Sequence, residues 1–200
     1  MKNEVQEAPV ANDVMIDLET VGSGSNAAII SIGAAIWNPF TGKFGSTFYQ
    51  AINLTDALNY GEVDGQTIEW WMRQGDQARA VFNDANRVTL KDALLAFQDW
   101  IYQTGNFHKR VVWGNGATFD NVILSNAYEA TNMTKPWPFY GDRDVRTVVD
   151  IGRRIFGIDP KRNIPMKGVS HNALDDAKHQ CLYVTDIYQK LQSKDALKAA

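Results

Sequence analysis

Three strand-type runs follow one another near the start of the chain with only short loops between them, and this pattern restricts the fold most. Val14 to Leu18 reads as a buried strand. "AAIISIGAAIWN" is isoleucine-rich and ends in the turn signal "PFTGK", and "FGSTFYQAIN" resumes strand alternation. Hairpin-length connections pair consecutive strands antiparallel, so a meander is expected. The period then changes. "TIEWWMRQGDQARAVF" has helical spacing with a Gly break, and "TLKDALLAFQDWIYQ" places Leu90, Ala93, Leu94, Phe97, Trp100 and Ile101 on one face. A short buried strand, "KRVVWGN", precedes three further helical segments: "ATFDNVILSNAYEA", "DVRTVVDIGRRIFG" and "SHNALDDAKHQCLYVTDIYQKLQ". The last carries an apolar stripe at Leu174, Ala177, Cys181, Val184, Tyr188 and Leu191. Strands first, then helix and strand in alternation, predict a mixed sheet covered by helices.

A chain of 200 residues suits one domain, here residues 13–192, with loosely held tails at 1–12 and 193–200. No apolar run reaches the ~20 residues needed to cross a bilayer, so no membrane partner is expected. The single cysteine, Cys181, permits no internal disulfide, which fits a cytoplasmic setting. A net charge of −3 excludes a global pull towards nucleic acid but not an enzyme that meets its substrate through metal ions. An apolar helix face could serve a homodimer or the monomer's own core, and the pattern does not choose.

Carboxylates collect in three places. In "VMIDLET", Asp17 and Glu19 are two apart, so in a strand they aim to one face. Two carboxylates this close repel, and burial adds several kcal/mol unless something compensates. Divalent cations with oxygen ligands would remove that penalty; an exposed strand end with two solvated acids would avoid it. In "WGNGATFDN", Asp120 sits in the first turn of a helix, where the helix dipole alone favours an acid. In "VSHNALDDAKHQ", Ser170 reads as the N-cap and His171 lies at the helix mouth. Asp176 falls beside the buried stripe, and Asp175, ~100° away, reads as a solvated surface acid.

These three stretches, "DLET", "NGATFD" and "HNALDD", in this order, resemble the exonuclease motifs of the DEDDh 3′→5′ exonucleases, the DnaQ-like group. The resemblance spans Val14 to about Leu191. "TIEWWMRQ", "WGNGATFDNVILSNAY" and "PWPFYGDRDVRTVVDI" are similar to the branch that holds phage DexA-type exonucleases, exodeoxyribonuclease VIII-like proteins and RNase AS exoribonucleases. It implies a ribonuclease H-like α/β fold with a mixed five-stranded sheet flanked by helices. Four strands are legible; the fifth is expected around Trp137 to Tyr140 or before Asp144. It further implies that Asp17, Glu19, Asp120 and Asp176 ligate two divalent ions, Mg²⁺ or Mn²⁺, with His171 as general base. The implied reaction releases nucleoside 5′-monophosphates from a DNA or RNA 3′ end, DNA being favoured. A 3′→5′ exoribonuclease and a non-catalytic nucleic-acid-binding module are the alternatives.

Substrate contacts are expected from Thr20, Asn115, Phe119, Arg146 and the pair Trp70 and Trp71. Adjacent tryptophans on a helix face ~100° apart, so one can stack on a base while the other is core. Between Arg143 and Lys167 seven basic residues meet three acids, a net of +4. That span reads either as a phosphate-tracking rim or as a solvated helix face and loop.

Overall fold

The structure, a computed structural model, describes residues 12–193, so the expected tails lie outside the described residues except for Asn12 and Ser193. Five strands, β1 (Asp13–Thr20), β2 (Ile29–Trp37), β3 (Phe44–Ala51), β4 (Val111–Gly114) and β5 (Asp142–Asp144), form one sheet in the order β3-β2-β1-β4-β5. The first three make the expected antiparallel meander, while β4 pairs parallel with β1 and β5 parallel with β4. The fifth strand therefore ends at Asp144. It was hard to read because "DRD" is a short edge strand without an apolar residue. The other expected position is a turn of 3₁₀-helix, Phe139–Gly141, next to buried Trp137.

Strand alternation assigns the faces. Val14, Ile16 and Leu18 point into one core with α4 (Leu90–Ile101) and α5 (Asp120–Ala130). Met15 points into the other, with Trp37, Trp113, α6 (Val145–Phe156) and α8 (Ala173–Gln192). Asp17 and Glu19 share the parity of Met15 and so face α8. The long apolar β2 is buried along its whole length, which is why it shows no alternation.

The shorter helices are α1 (Leu54–Ala57), α2 (Gly65–Met72), α3 (Asp76–Arg79) and α7 (Pro160–Asn163). The segment from Thr67 to Phe82 is helical with the expected break at glycine. It divides into α2, α3 and a 3₁₀ turn at Ala80–Asn83, with Asp64 capping α2 through Thr67 N (2.7 Å) and Gly75 at the break. The basic loop after α6 likewise contains α7.

One close approach sets the site. Gly33 is the register partner of Asp17, and a Cβ on it would lie 2.1 Å from the Ala173 carbonyl carbon. Only glycine lets the first turn of α8 rest on β2, directly beside Asp17. Ser170 is not the cap of that helix; Asn172 is, its side chain accepting from the N–H groups of Leu174 and Asp175 at 3.2 Å each. The helix starts later than read because Asn172 fits the N-cap position as well as serine does. At the far end Leu191 is 40% exposed, and Ile187 takes its place in the buried stripe. Among the described residues no helix is long and apolar enough to cross a membrane.

Candidate active site

Asp17 and Glu19 lie near the carboxyl end of β1, with an irregular register between Glu19 and Thr20 where the strand leaves the sheet. Asp120, the first residue of α5, is buried from the neighbouring side, and its Oδ1 accepts from Leu18 N–H at 3.2 Å. Asp176 approaches from α8 and accepts the His171 N–H through Oδ2 at 2.7 Å. A cavity of about 390 Å³ holds Asp17, Glu19, Asn115, His171 and Asp176. Asp120 sits beneath that surface rather than on it.

None of the four acids forms an ion pair among the described residues. Burial, then the charges of Asp120, Glu19 and Asp176, push the Asp17 carboxyl well above its usual range, against a hydrogen bond from Gln180. Burial and the Asp176 and Asp120 charges raise Glu19 to about 8. Burial raises Asp120 to about 7, opposed by the backbone N–H groups of Leu18 and Asn115 and by the Arg146 charge. Asp176 is also raised, mainly by burial. Carboxylates held together with no ion-paired cation among the described residues are a donor set that divalent ions with oxygen ligands fit. Ligand atoms of Glu19, His171 and Asp176 already lie within 4.8 Å of one another.

His171 adopts φ +64°, a left-handed backbone that costs a non-glycine residue energy. Its N–H bond to Asp176 holds that conformation, and its ring packs edge-on against Trp70 with centroids 4.8 Å apart. Asp175 is no free surface acid: its Oδ2 accepts from Val169 N–H at 2.9 Å and fastens the loop that carries His171.

The expected substrate residues separate into two sets. Asn115 lines the cavity, Trp70 flanks His171, and Arg146 is exposed on α6 beside the Gly116 turn. Trp71, by contrast, is 3% exposed and packs on Trp70 and Phe82; its Nε1 donates to Thr20 O at 2.8 Å, so its ring has no open face for a base. Thr20 is buried too, its Oγ1 donating to Gly22 O at 2.7 Å. Phe119 packs half-buried against the core where α5 begins.

Gln180 was missed. It is 4% exposed, its Nε2 donates 2.7 Å to Asp17 Oδ1, and its Oε1 has no partner among the described residues. The signal was its spacing: four residues after Asp176, it lies on the same helix face. His179, Tyr183 and Lys161 line the same cavity.

The raised carboxyls give a pH prediction. Glu19 and Asp120 hold protons up to about 8 and about 7 in the folded protein, whereas in an unfolded chain such groups ionise near ~4. Between those limits the folded state binds more protons, so the metal-free protein loses stability as pH rises from ~4 through ~8, by about 1.4 kcal/mol per pH unit for each excess proton. Melting in EDTA should therefore fall from pH 5 to 8.5. Stabilisation by added Mn²⁺ should grow over the same range, because metal displaces those protons. An EDTA melting temperature that climbs steadily with pH would refute the buried cluster.

The family model described as the 3′-5′ exoribonuclease Rv2179c-like domain matches residues 12–188. An exodeoxyribonuclease of Enterobacteria phage T4 is 27% identical over 165 residues, 69% of this chain and 70% of that protein. The fold is similar to the nuclease domain of 3′hExo, a DEDDh family member bound to rAMP, with TM-score 0.61 and 16% identity over 88% of this chain and 91% of that one. It is also similar to S. pombe Pop2p in its Mg²⁺- and Mn²⁺-bound form, with TM-score 0.59 and 16% identity over 93% and 85% of the two chains. With its sheet order, its three acidic motifs and this match in agreement, the chain belongs to the 3′-5′ exoribonuclease Rv2179c-like domain family and is a 3′→5′ exonuclease.

Proposed function

We propose that the protein removes nucleoside 5′-monophosphates from the 3′ end of DNA, with two divalent ions, Mg²⁺ or Mn²⁺, held by Asp17, Glu19, Asp120 and Asp176. The observation that carries this reading is the convergence of four buried or half-buried carboxylates with no ion pair among the described residues, beside His171. Bound there, such ions would supply Lewis-acid activation of water and neutralise charge on the departing 3′ oxygen.

The chain's own groups do the rest. His171 takes the proton of the attacking water, a task that imidazole suits near neutral pH. Its ring packs edge-on against Trp70, and a ring nitrogen lies within 4.8 Å of carboxylate oxygens of Glu19 and Asp176, so that proton acceptor already faces the carboxylates. Gln180 holds Asp17 in register with α8, and Asn115 borders the place where the terminal nucleotide would lie. The half-buried Trp70 ring is the candidate platform for its base. The cysteine count favours a cytoplasmic setting for this activity.

DNA is placed first because the T4 relative is an exodeoxyribonuclease. RNA is the second reading, supported by the description of the matching family. The deciding test is to incubate 5′-labelled DNA and RNA strands with the protein in Mg²⁺, Mn²⁺ or EDTA. Shortening from the 3′ end with metal and none in EDTA is expected, and the faster ladder selects the substrate. Intact strands of both kinds under every metal would overturn the proposal.

A further inference from the structure

The basic span is not used uniformly. Arg154 pairs with Asp150 at 2.6 Å, Arg162 with Asp159 at 3.4 Å, and Arg143 donates to the carbonyls of Tyr140 and Asp142. Arg146 and Arg153 from α6 and Lys161 from α7 instead line a second cavity of about 200 Å³ with Asn115, Val149 and Tyr183. It shares Asn115, Lys161 and Tyr183 with the carboxylate cavity, so the two adjoin along that wall. No acid lines it. Arg153 is held by Asp159 at 3.0 Å, whereas Arg146 and Lys161 form no ion pair among the described residues.

The opposite flank lacks that charge. Beyond His171 lies a cavity of about 560 Å³ with no lysine or arginine among its described lining residues; of its two acids, Asp76 is paired with Arg79 at 2.6 Å and Asp84 accepts the Asn86 N–H at 2.8 Å. A polyanionic strand is attracted to the first flank and gains nothing from the second. A terminal nucleoside with a free 3′-hydroxyl carries no phosphate beyond the scissile one, so the side without cations suits it.

Resting on the exonuclease reading, we propose that Arg146 and Lys161 form a subsite for a backbone phosphate upstream of the scissile bond. The strand then enters across α6 and α7, and its 3′ nucleoside points towards Trp70 and His171. Tyr183 and Asn115, on the shared wall, lie between the held phosphate and the bond to be cut.

The test is fluorescence anisotropy of labelled single-stranded DNA and RNA in EDTA, so that no turnover is needed, across a series of salt concentrations. Arg146→Gln and Lys161→Gln should each reduce the slope of log K against log[salt], and the double variant should reduce it by about 0.7 in total, the single-strand value for one phosphate neutralised. Arg154→Gln, on the same helix but paired to Asp150, should leave the slope as it is. With metal present, the Arg146 and Lys161 losses should appear in KM more than in kcat. Unchanged slopes in both variants, an equal drop in Arg154→Gln, or a wild type with no salt-dependent binding would each overturn the subsite. Should the wild type bind with the expected slopes yet shorten neither strand in any metal, the exonuclease reading fails and the phosphate site stands.

Discussion

Asp17→Asn is expected to reduce nuclease activity at least ~1,000-fold while making the metal-free protein more stable. Both effects have one cause. The Asp17 carboxyl is held against burial and three neighbouring acids, so its charge costs the folded state energy whenever no metal is bound. Asparagine keeps the shape and still accepts the 2.7 Å bond from Gln180 Nε2 through Oδ1. The neutral side chain removes repulsion and also removes a metal ligand. A thousandfold rate loss corresponds to about 4 kcal/mol of transition-state stabilisation, within reach for metal chemistry. Each ~1 kcal/mol of relieved repulsion should raise the melting temperature in EDTA by ~2–4 °C in a domain of this size. Stabilisation by Mn²⁺, about 2.7 kcal/mol when the ion is present at ~100 times its dissociation constant, should largely vanish. Retained activity, or a lower melting temperature in EDTA, would show that Asp17 is an ordinary structural acid.

His171→Ala is expected to lower kcat by ~10²–10⁴, the usual range for a lost general base, with metal stabilisation retained. Histidine and asparagine tolerate φ +64° better than alanine does, so His171→Asn, which should lose activity to the same extent, separates the imidazole from the backbone. The His171 N–H bond to Asp176 survives either substitution. Because Glu19, His171 and Asp176 place ligand atoms within 4.8 Å, the alanine variant separates two roles. If Mn²⁺ still stabilises the variant as it does the wild type, the imidazole handles a proton. If that stabilisation disappears as in Asp17→Asn, the imidazole is a ligand and the base lies elsewhere.

Much of this site was legible along the chain. Local rules suffice to put Asp17 and Glu19 on one strand face and Asp120 in a first helical turn. The same rules put Asp176 beside a buried stripe, because strand and helix periods depend on the backbone alone. The meander was legible for the same reason, since short connections between strand-type runs leave few other pairings.

What the tertiary structure decided concerns contacts between distant segments, which no local period encodes. Trp71 rather than Trp70 turns inward because the Thr20 carbonyl at the end of β1 needs its Nε1. Asp175 becomes a loop anchor because Val169 N–H points at it. Gln180 finds Asp17, 163 residues away in sequence, because the missing Cβ of Gly33 lets α8 lie directly on β2. The residue types and their order determined which chemistry the chain can hold. The close approach of α8 to the sheet decided where those groups meet, since only packing brings β1 and α8 to one cavity with the first residue of α5 beneath it.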